Sequence, residues 1–375
     1  MKKRPVVCTY YFPNWHVDPH NEEIHGTNWT EWEVVKCARP RFPWHEQPKV
    51  PLWGYEDEAD PEVMRKKIST ASEYGIDAFI FDYYYYEFGP YRERCLQEGF
   101  LKAGNCKDIK FALMWANHAA AYAHPGSYLY PCRRDFWNGE VSPETFRKCT
   151  DHIIENYFVQ DNYLRVDGGL YFSIYLLYDL IQNLGGIENT REAFRDFRYR
   201  VEKANLGKLY LDISFNYSFE EPDNFDKINA LIKELGADSC SNYGNVRPVT
   251  FPSFDYPEMM KINMQELYRI SRGLEVPYHP VAMIGYDSSP RTVQSDMYEN
   301  RGYPFITIAR DNGPERWKEY LEQFADFIET PEYTGSLMHL ACWNEWTEGC
   351  YLEPDEKDGY ARLEAVRDVF GKAEK

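Results

Sequence analysis

Positive charge is what this sequence most lacks. Its 42 Lys and Arg face 60 Asp and Glu, a formal net charge of −18. A nucleic-acid partner is therefore not expected, because phosphate backbones are held by clustered Lys and Arg. Long apolar runs are missing too: no window approaches the roughly 20 apolar residues that a membrane-spanning helix needs. Met1-Lys2-Lys3-Arg4 could open a secretory signal, but only Pro5 to Cys8 follow before polar Thr9, too few for its apolar stretch. The 9 Cys contain no CxxC and no pair at zinc-site spacing, and their odd number speaks for free thiols in a reducing compartment. A cytoplasmic location is the expectation. His20 and His25 fit no HExxH pattern, so no metal is expected. No GxGxxG follows the first apolar run, which weakens the dinucleotide-binding alternative and leaves no cofactor indicated. Repeats, low-complexity tracts and linkers are absent, and residues 1–375 are read as one domain.

Aromatic residues, in contrast, are plentiful: 17%, with 31 Tyr and 10 Trp. Core packing can absorb many of them. A cleft lined with flat rings is the sharper reading, because such rings offer apolar faces while Tyr and Trp keep a polar handle.

Short apolar runs alternate with longer amphipathic ones. Strands are predicted at Val6–Phe12, Ala78–Tyr86, Lys110–His118, Leu170–Leu177, Lys208–Asn216, Asp238–Gly244, Pro280–Asp287 and Ser336–Trp346. Their continuous apolar character marks strands buried on both faces. Helices are predicted between them, for example Pro61–Tyr74, which begins after Asp60 with proline at its first position and ends before Gly75. Repeated βα units imply a parallel sheet, and eight strands suggest an α/β fold of the closed (β/α)8 TIM-barrel kind. The segment from Asn14 to Asp60 is too long for an ordinary βα loop, and loops of that length usually carry function.

Barrel enzymes draw their reactive groups from the C-terminal ends of the strands. Here those ends carry rings, amides and acids. The first ends with Tyr10 and Tyr11, followed by Trp15; the second has Asp82 and Tyr84. Trp115, Asn117 and His118 end the third, Asn216 the fifth, Tyr243 the sixth and Tyr286 the seventh. Glu31 and Trp32 lie in the long first loop. Faces to stack on and fixed donors and acceptors suit a polyhydroxylated ligand. For single residues the plain alternatives carry weight: about half of Tyr83 to Tyr86 must face the packing side, and an ion pair explains Glu31 as well as substrate does.

The last strand runs into Trp343-Asn344-Glu345-Trp346-Thr347-Glu348-Gly349. Glycosyl transfer needs an acid for the leaving oxygen and a second carboxylate. Glu345 and Glu348 can face one space if the chain turns at Thr347, and neighbouring indoles can exclude water and raise a carboxyl pKa. A helix cap or an arginine pair would explain one glutamate alone. Two glutamates beside Trp343, Asn344 and Trp346 favour chemistry.

These residues carry a family resemblance. "WNEWTEGCYLEPD" closely resembles the signature of WbsX-type proteins, grouped as glycoside hydrolase family 99-like. "YYFPNWH" (Tyr10–His16), "TEWEVVKCARPRFPWHEQPKVP" (Thr30–Pro51), "YGIDAFIFDYYYY" (Tyr74–Tyr86) and "KFALMWANH" (Lys110–His118) match as well. The resemblance implies a (β/α)8 barrel and a retaining hydrolase of α-linked, mannose-like glycans. It implies Glu345 as base toward the sugar 2-hydroxyl, a 1,2-anhydro intermediate, and Glu348 as acid and then base. One stretch departs: relatives usually continue Trp-Ala-Asn with Glu-Asn-Trp and arginines, whereas here His118-Ala119-Ala120-Ala121-Tyr122 follows, so a different substrate is expected. The partner is an oligosaccharide or polysaccharide. WbsX-type proteins are also labelled glycosyltransferases of surface-polysaccharide (lipopolysaccharide, O-antigen) assembly, and a non-catalytic carbohydrate-binding barrel is the remaining alternative.

Overall fold

The computed structural model describes residues 4–121, 125–129, 135–137, 139–215, 224–244 and 250–371. Its central sheet is built from β1 (Val6–Tyr11), β2 (Ala78–Tyr86), β3 (Lys110–Trp115), β4 (Gly169–Ile174), β5 (Lys208–Ser214), β6 (Ser239–Ser241), β7 (Tyr278–His279), β8 (Val281–Met283) and β9 (Leu337–Ala341). Neighbours run β7-β6-β5-β4-β3-β2-β1-β9-β8, every pair parallel. The two ends of this order, β7 and β8, are consecutive in the chain and separated only by Pro280. They act as one interrupted strand that pairs β6 with its first half and β9 with its second, and this brings the sheet round into a barrel. Proline lacks the N–H of a ladder residue, so it fits where a strand changes partner. Its carbonyl still accepts the His339 N–H at 2.8 Å. Sequence reading had started this strand at Pro280; the proline lies inside it instead.

Helices fall between the strands as the capping residues direct. They include α1 (Pro19–His25), α2 (Trp32–Cys37), α3 (Pro61–Glu73) and α4 (Pro143–Ile153). Asp60 caps α3 by accepting from the Glu62 N–H, and Ser142 caps α4 by accepting from the Thr145 N–H. Ile187–Lys203, Phe225–Leu235, Tyr256–Gly273, Pro314–Glu329 and Ala361–Phe370 continue the alternation. The long first loop holds α1 and α2, which periodicity did not reveal because each spans less than two turns. No helix among the described residues is long and apolar enough to cross a membrane.

Side chains of β2 divide as strand geometry requires. Tyr83 packs outward against Tyr157 with ring centroids 5.8 Å apart, and Tyr85 lies 6.0 Å from His152. Asp82 and Tyr84 take the other face. β2 then turns back through Gly89–Tyr91, with Tyr84 opposite Tyr91.

Under the last strand lies a buried ion cluster. Lys67 of α3 is 1% exposed, and its Nζ lies 2.5 Å from both Glu58 Oε1 and Glu353 Oε1. Glu58 Oε1 also accepts from Tyr11 (2.8 Å) and Asn344 (3.0 Å), and Glu353 Oε2 accepts from Trp346 Nε1 (2.7 Å). Burial pushes the Glu58 carboxyl up, against the pull of Lys67. Burial opposes the Lys67 charge, but Glu353 and Glu58 outweigh it and raise its pKa. Breaking a buried pair typically costs ~3–5 kcal/mol, since a charge is left uncompensated. Lys67→Met should therefore destabilise by about that much in urea unfolding. In the variant the Glu58 carboxyl would have its folded-state pKa raised further above its unfolded value. Its stability is present below the unfolded pKa and lost as pH rises through the folded one, so the deficit should be larger at pH 8 than at pH 5. A deficit independent of pH would show that the cluster is not the cause.

Candidate active site

After β9 the chain makes a tight hairpin. Asn344–Glu345 pairs antiparallel with Cys350–Tyr351, and Trp346–Glu348 forms a 3-10 turn between them. Gly349 closes it at φ 61°, where a Cβ would stand 2.8 Å from the Asp287 Cβ, so a glycine is required. The turn brings Glu345 and Glu348 to the same side, although they are three residues apart.

What meets them there is Arg291, from the turn Ser289–Arg291 beyond β8. Its Nη2 lies 2.6 Å from Glu345 Oε1 and 3.3 Å from Glu31 Oε1, and its Nη1 lies 2.5 Å from Glu348 Oε1. Nε donates to Thr347 Oγ1 at 2.9 Å, and Thr347 donates to Glu31 Oε1 at 2.7 Å. Tyr303 donates to Glu348 Oε1 at 3.0 Å and also contacts Arg291 Nη1. One buried guanidinium thus carries three carboxylates. Asn14 Nδ2 holds the far oxygen of Glu31 at 2.5 Å.

Protonation follows from this crowding. Burial pushes the Glu345 carboxyl well above the ordinary range; Arg291 pulls it down, and the charges of Glu348, Glu31 and Asp82 push it up again. Asp82, on β2, is 3% exposed. Its Oδ2 accepts from Tyr243 at 2.9 Å, and its Oδ1 is buried with no partner among the described residues. Burial pushes its carboxyl up to about 8, against the bond from Tyr243 and with help from the charge of Glu348. It therefore holds a proton through most of the neutral range.

The Glu348 end is fixed from behind. Its carbonyl accepts the Asp287 N–H at 2.5 Å. Asp287 Oδ2 is bonded by His45 Nε2 and Gln47 Nε2, each at 2.8 Å. Burial would raise the Asp287 carboxyl, but the pull of His45 and the bonds from Ser289 and Gln47 together outweigh it and hold the pKa at about 2. The long first loop is thereby fastened beside the glutamates.

The structure brings together Glu345, Glu348, Glu31, Asp82 and Tyr243. Tyr84 and Tyr286 adjoin them: Tyr84 is within the fields of Asp82 and Glu345, and Tyr286 within those of Glu348 and Arg291. His118 is half-buried, edge-on to Tyr84 at 5.7 Å. Other predicted residues stand behind this group. Trp15, Trp115, Trp343 and Trp346 are all 0% exposed. Trp15 packs on Trp32, Trp115 on Phe146, Trp343 on Phe79 and Trp346 on Tyr351, with ring centroids 4.0, 5.9, 5.3 and 3.8 Å apart. Trp32 Nε1 donates to the Glu56 carbonyl. Tyr11 and Asn344 are occupied by Glu58, and Asn344 also bridges the Phe12 N–H and carbonyl. Asn117 bridges the N–H and carbonyl of Leu176, and Tyr10 donates to the Asn242 carbonyl while stacking on His339. Asn216 lies outside the described residues.

Sequence reasoning missed Arg291 and Tyr303. Arg291 sits in a Ser-Ser-Pro-Arg stretch that looks like an ordinary turn. The signal for it was indirect: two glutamates beside a third in a buried site require a cation from some loop.

Comparison with known proteins gives the family and the fold. A family model described as "Glycosyltransferase WbsX" matches residues 7–366. A protein of Xanthomonas campestris pv. campestris (strain B100), described as uncharacterized protein WxcX, is 25% identical over 390 residues, covering 98% of this chain and 50% of its own length. The chain thus spans about half the length of the curated relatives it matches. Among solved structures, a GH99 endo-alpha-mannosidase from Bacteroides thetaiotaomicron aligns with TM-score 0.59 at 16% identity, covering 97% of this chain and 96% of its own. A family 1 beta-glucosidase from Thermotoga maritima aligns with TM-score 0.50 at 8% identity, covering 100% and 99%. At such identities the likeness concerns the barrel alone. With its matched span running from the first strand of that barrel into the last helix, the chain belongs to the WbsX family.

Proposed function

We propose that the chain is a retaining glycoside hydrolase acting on an α-linked, mannose-like glycan, with Glu345 and Glu348 at the bond that breaks. One observation carries the reading: both carboxylates, at a barrel strand end, are set on the two Nη atoms of a single buried arginine, at 2.6 and 2.5 Å. Such a clamp fixes their mutual position before substrate arrives. The family membership and the barrel support the same reading.

In the proposed first step Glu345 takes the proton of the sugar 2-hydroxyl, O2 bonds to the anomeric carbon, and the glycosidic bond breaks as Glu348 protonates the leaving oxygen. In the second, water bonds to the anomeric carbon and gives its proton to Glu348, the ring of the 1,2-anhydro sugar opens, and Glu345 returns its proton to O2. Two inversions give net retention, without the glycosyl-enzyme bond of the usual retaining scheme. Asp82, protonated, donates to a hydroxyl; Tyr243, Tyr84 and Tyr286 supply further contacts. The glycosyltransferase reading is favoured by the family's description. It differs in the acceptor: a sugar hydroxyl replaces water, so products longer than the substrate would identify it. A cytoplasmic location remains part of this proposal, and the free thiols of the described cysteines support it.

Glu348→Gln should lower turnover by ~10²–10⁴-fold, the usual scale of acid–base help. Substrates with a good leaving group should recover part of it. Glu345→Gln should not recover that way, and a 2-deoxy substrate should fail on the native protein. Proton NMR of the first-formed anomer reads the outcome: an inverted product, or full activity on the 2-deoxy substrate, overturns the mechanism.

The pH profile gives a second test. Glu345 must be ionised to act as base, and its pKa is raised, so the acid limb of kcat/KM should lie above the ~4.3 of an ordinary glutamate. Arg291 lowers that pKa. Arg291→Gln should therefore move the limb to higher pH as well as reduce kcat. An unmoved limb would separate Glu345 from the titration.

A further inference from the structure

A second arginine stands in the same site under opposite conditions. Arg92 follows the strand that turns back from β2. Its guanidinium carbon lies 4.7 Å from the Tyr84 ring centre, 4.6 Å from Tyr91 and 5.0 Å from Phe12. The Phe12 ring is shared, with the Arg291 guanidinium 5.6 Å from its centre. Arg291 carries three carboxylates. No ion pair joins Arg92 to an Asp or Glu among the described residues, although Glu31 lies near enough to act on it and Tyr91 bonds to it; its Nε is buried without a hydrogen-bond partner among the described residues. The residue as a whole is half-buried.

The backbone adds an independent observation. Arg92 has φ 60°, the left-handed region that glycine or asparagine occupies more easily. An arginine held there is strained, and such outliers gather at functional sites. Asp18 accepts its N–H at 3.2 Å, which fastens the turn. A glycine would relieve the strain; the side chain is what the position retains.

We propose that Arg92 receives an anionic substituent of the glycan, an oxyanion such as a sugar carboxylate or phosphate, in a subsite beside Glu345 and Glu348. This rests on the hydrolase reading and adds the charge of the substrate to it. A guanidinium presents a planar fork that matches such groups, and rings on its faces leave the edge donors for the ligand. The site tolerates the added negative charge because Asp82 favours its protonated form and Arg291 already faces Glu31, Glu345 and Glu348. With a surface of net charge −18 the anion is not steered from afar; recognition is local to the subsite.

Titration calorimetry of the native protein tests this with four probes: methyl α-mannopyranosiduronic acid, its methyl ester, methyl α-mannoside and methyl α-mannoside 6-phosphate. A hydrogen-bonded charge contributes roughly 10- to 100-fold in affinity. The acid or the phosphate should bind tighter than the ester and the mannoside by that factor, and which of the two leads identifies a planar or a tetrahedral anion. Arg92→Gln should erase the gap, and Arg92→Lys should keep part of it. Ester and acid binding equally to the native protein, with the phosphate no tighter, would overturn the anionic subsite while leaving the hydrolase reading in place. A gap that survives in Arg92→Gln would overturn the role of Arg92. No saturable binding of any of the four would overturn the hydrolase reading and the subsite with it. The native-protein comparison decides the matter even if a variant does not fold.

Discussion

The guanidinium of Arg291 is the centre on which the site depends. Glu31 comes from the long first loop, Glu345 and Glu348 from the hairpin after β9, and Tyr303 from the chain beyond β8. Three carboxylates this close would repel one another in a buried space, and each would cost several kcal/mol to desolvate unpaired. One planar cation with five donors can satisfy them together. Because the loops come from distant parts of the chain, the arginine both neutralises the site and holds it in register.

A second buried cation does similar work on the other side of the hairpin. Lys67 holds Glu58 and Glu353, which in turn hold Asn344 and Trp346, the neighbours of Glu345 on either side. Glu345 is therefore set between two ion clusters, that of Arg291 on one side and that of Lys67 on the other. The tryptophans complete this support. They exclude water from behind the carboxylates, which is the physical origin of the raised Glu345 pKa.

The barrel was legible because parallel strands buried on both faces leave continuous apolar runs, and because Asp60 and Ser142 mark helix starts by their own chemistry. The seam at Pro280 was misread by two residues, since proline signals a boundary and β7 is only Tyr278–His279. The glutamate pair was legible from its spacing and position. The partners were not: Arg291 and Arg92 lie in turns, where charged residues are ordinary, and only folding shows which turn meets which strand. Trp15, Trp115, Trp343 and Trp346 were placed at the right end of the barrel but on its packed side. Spacing along the chain does not say which way a side chain points once the chain leaves a regular strand.

The pairing of β9 with β1 has a consequence for synthesis. Val6 lies opposite Leu337, and the Phe12 N–H bonds the side chain of Asn344, the residue before Glu345. Almost the whole chain separates these partners, so loop closure of that length must come before the hairpin finds its support. A ribosome-bound chain that has produced seven eighths of the barrel still lacks both glutamates and the strand that presents them. On this scaffold the two glutamates therefore come into place only after the last strand has been made and docks on the first.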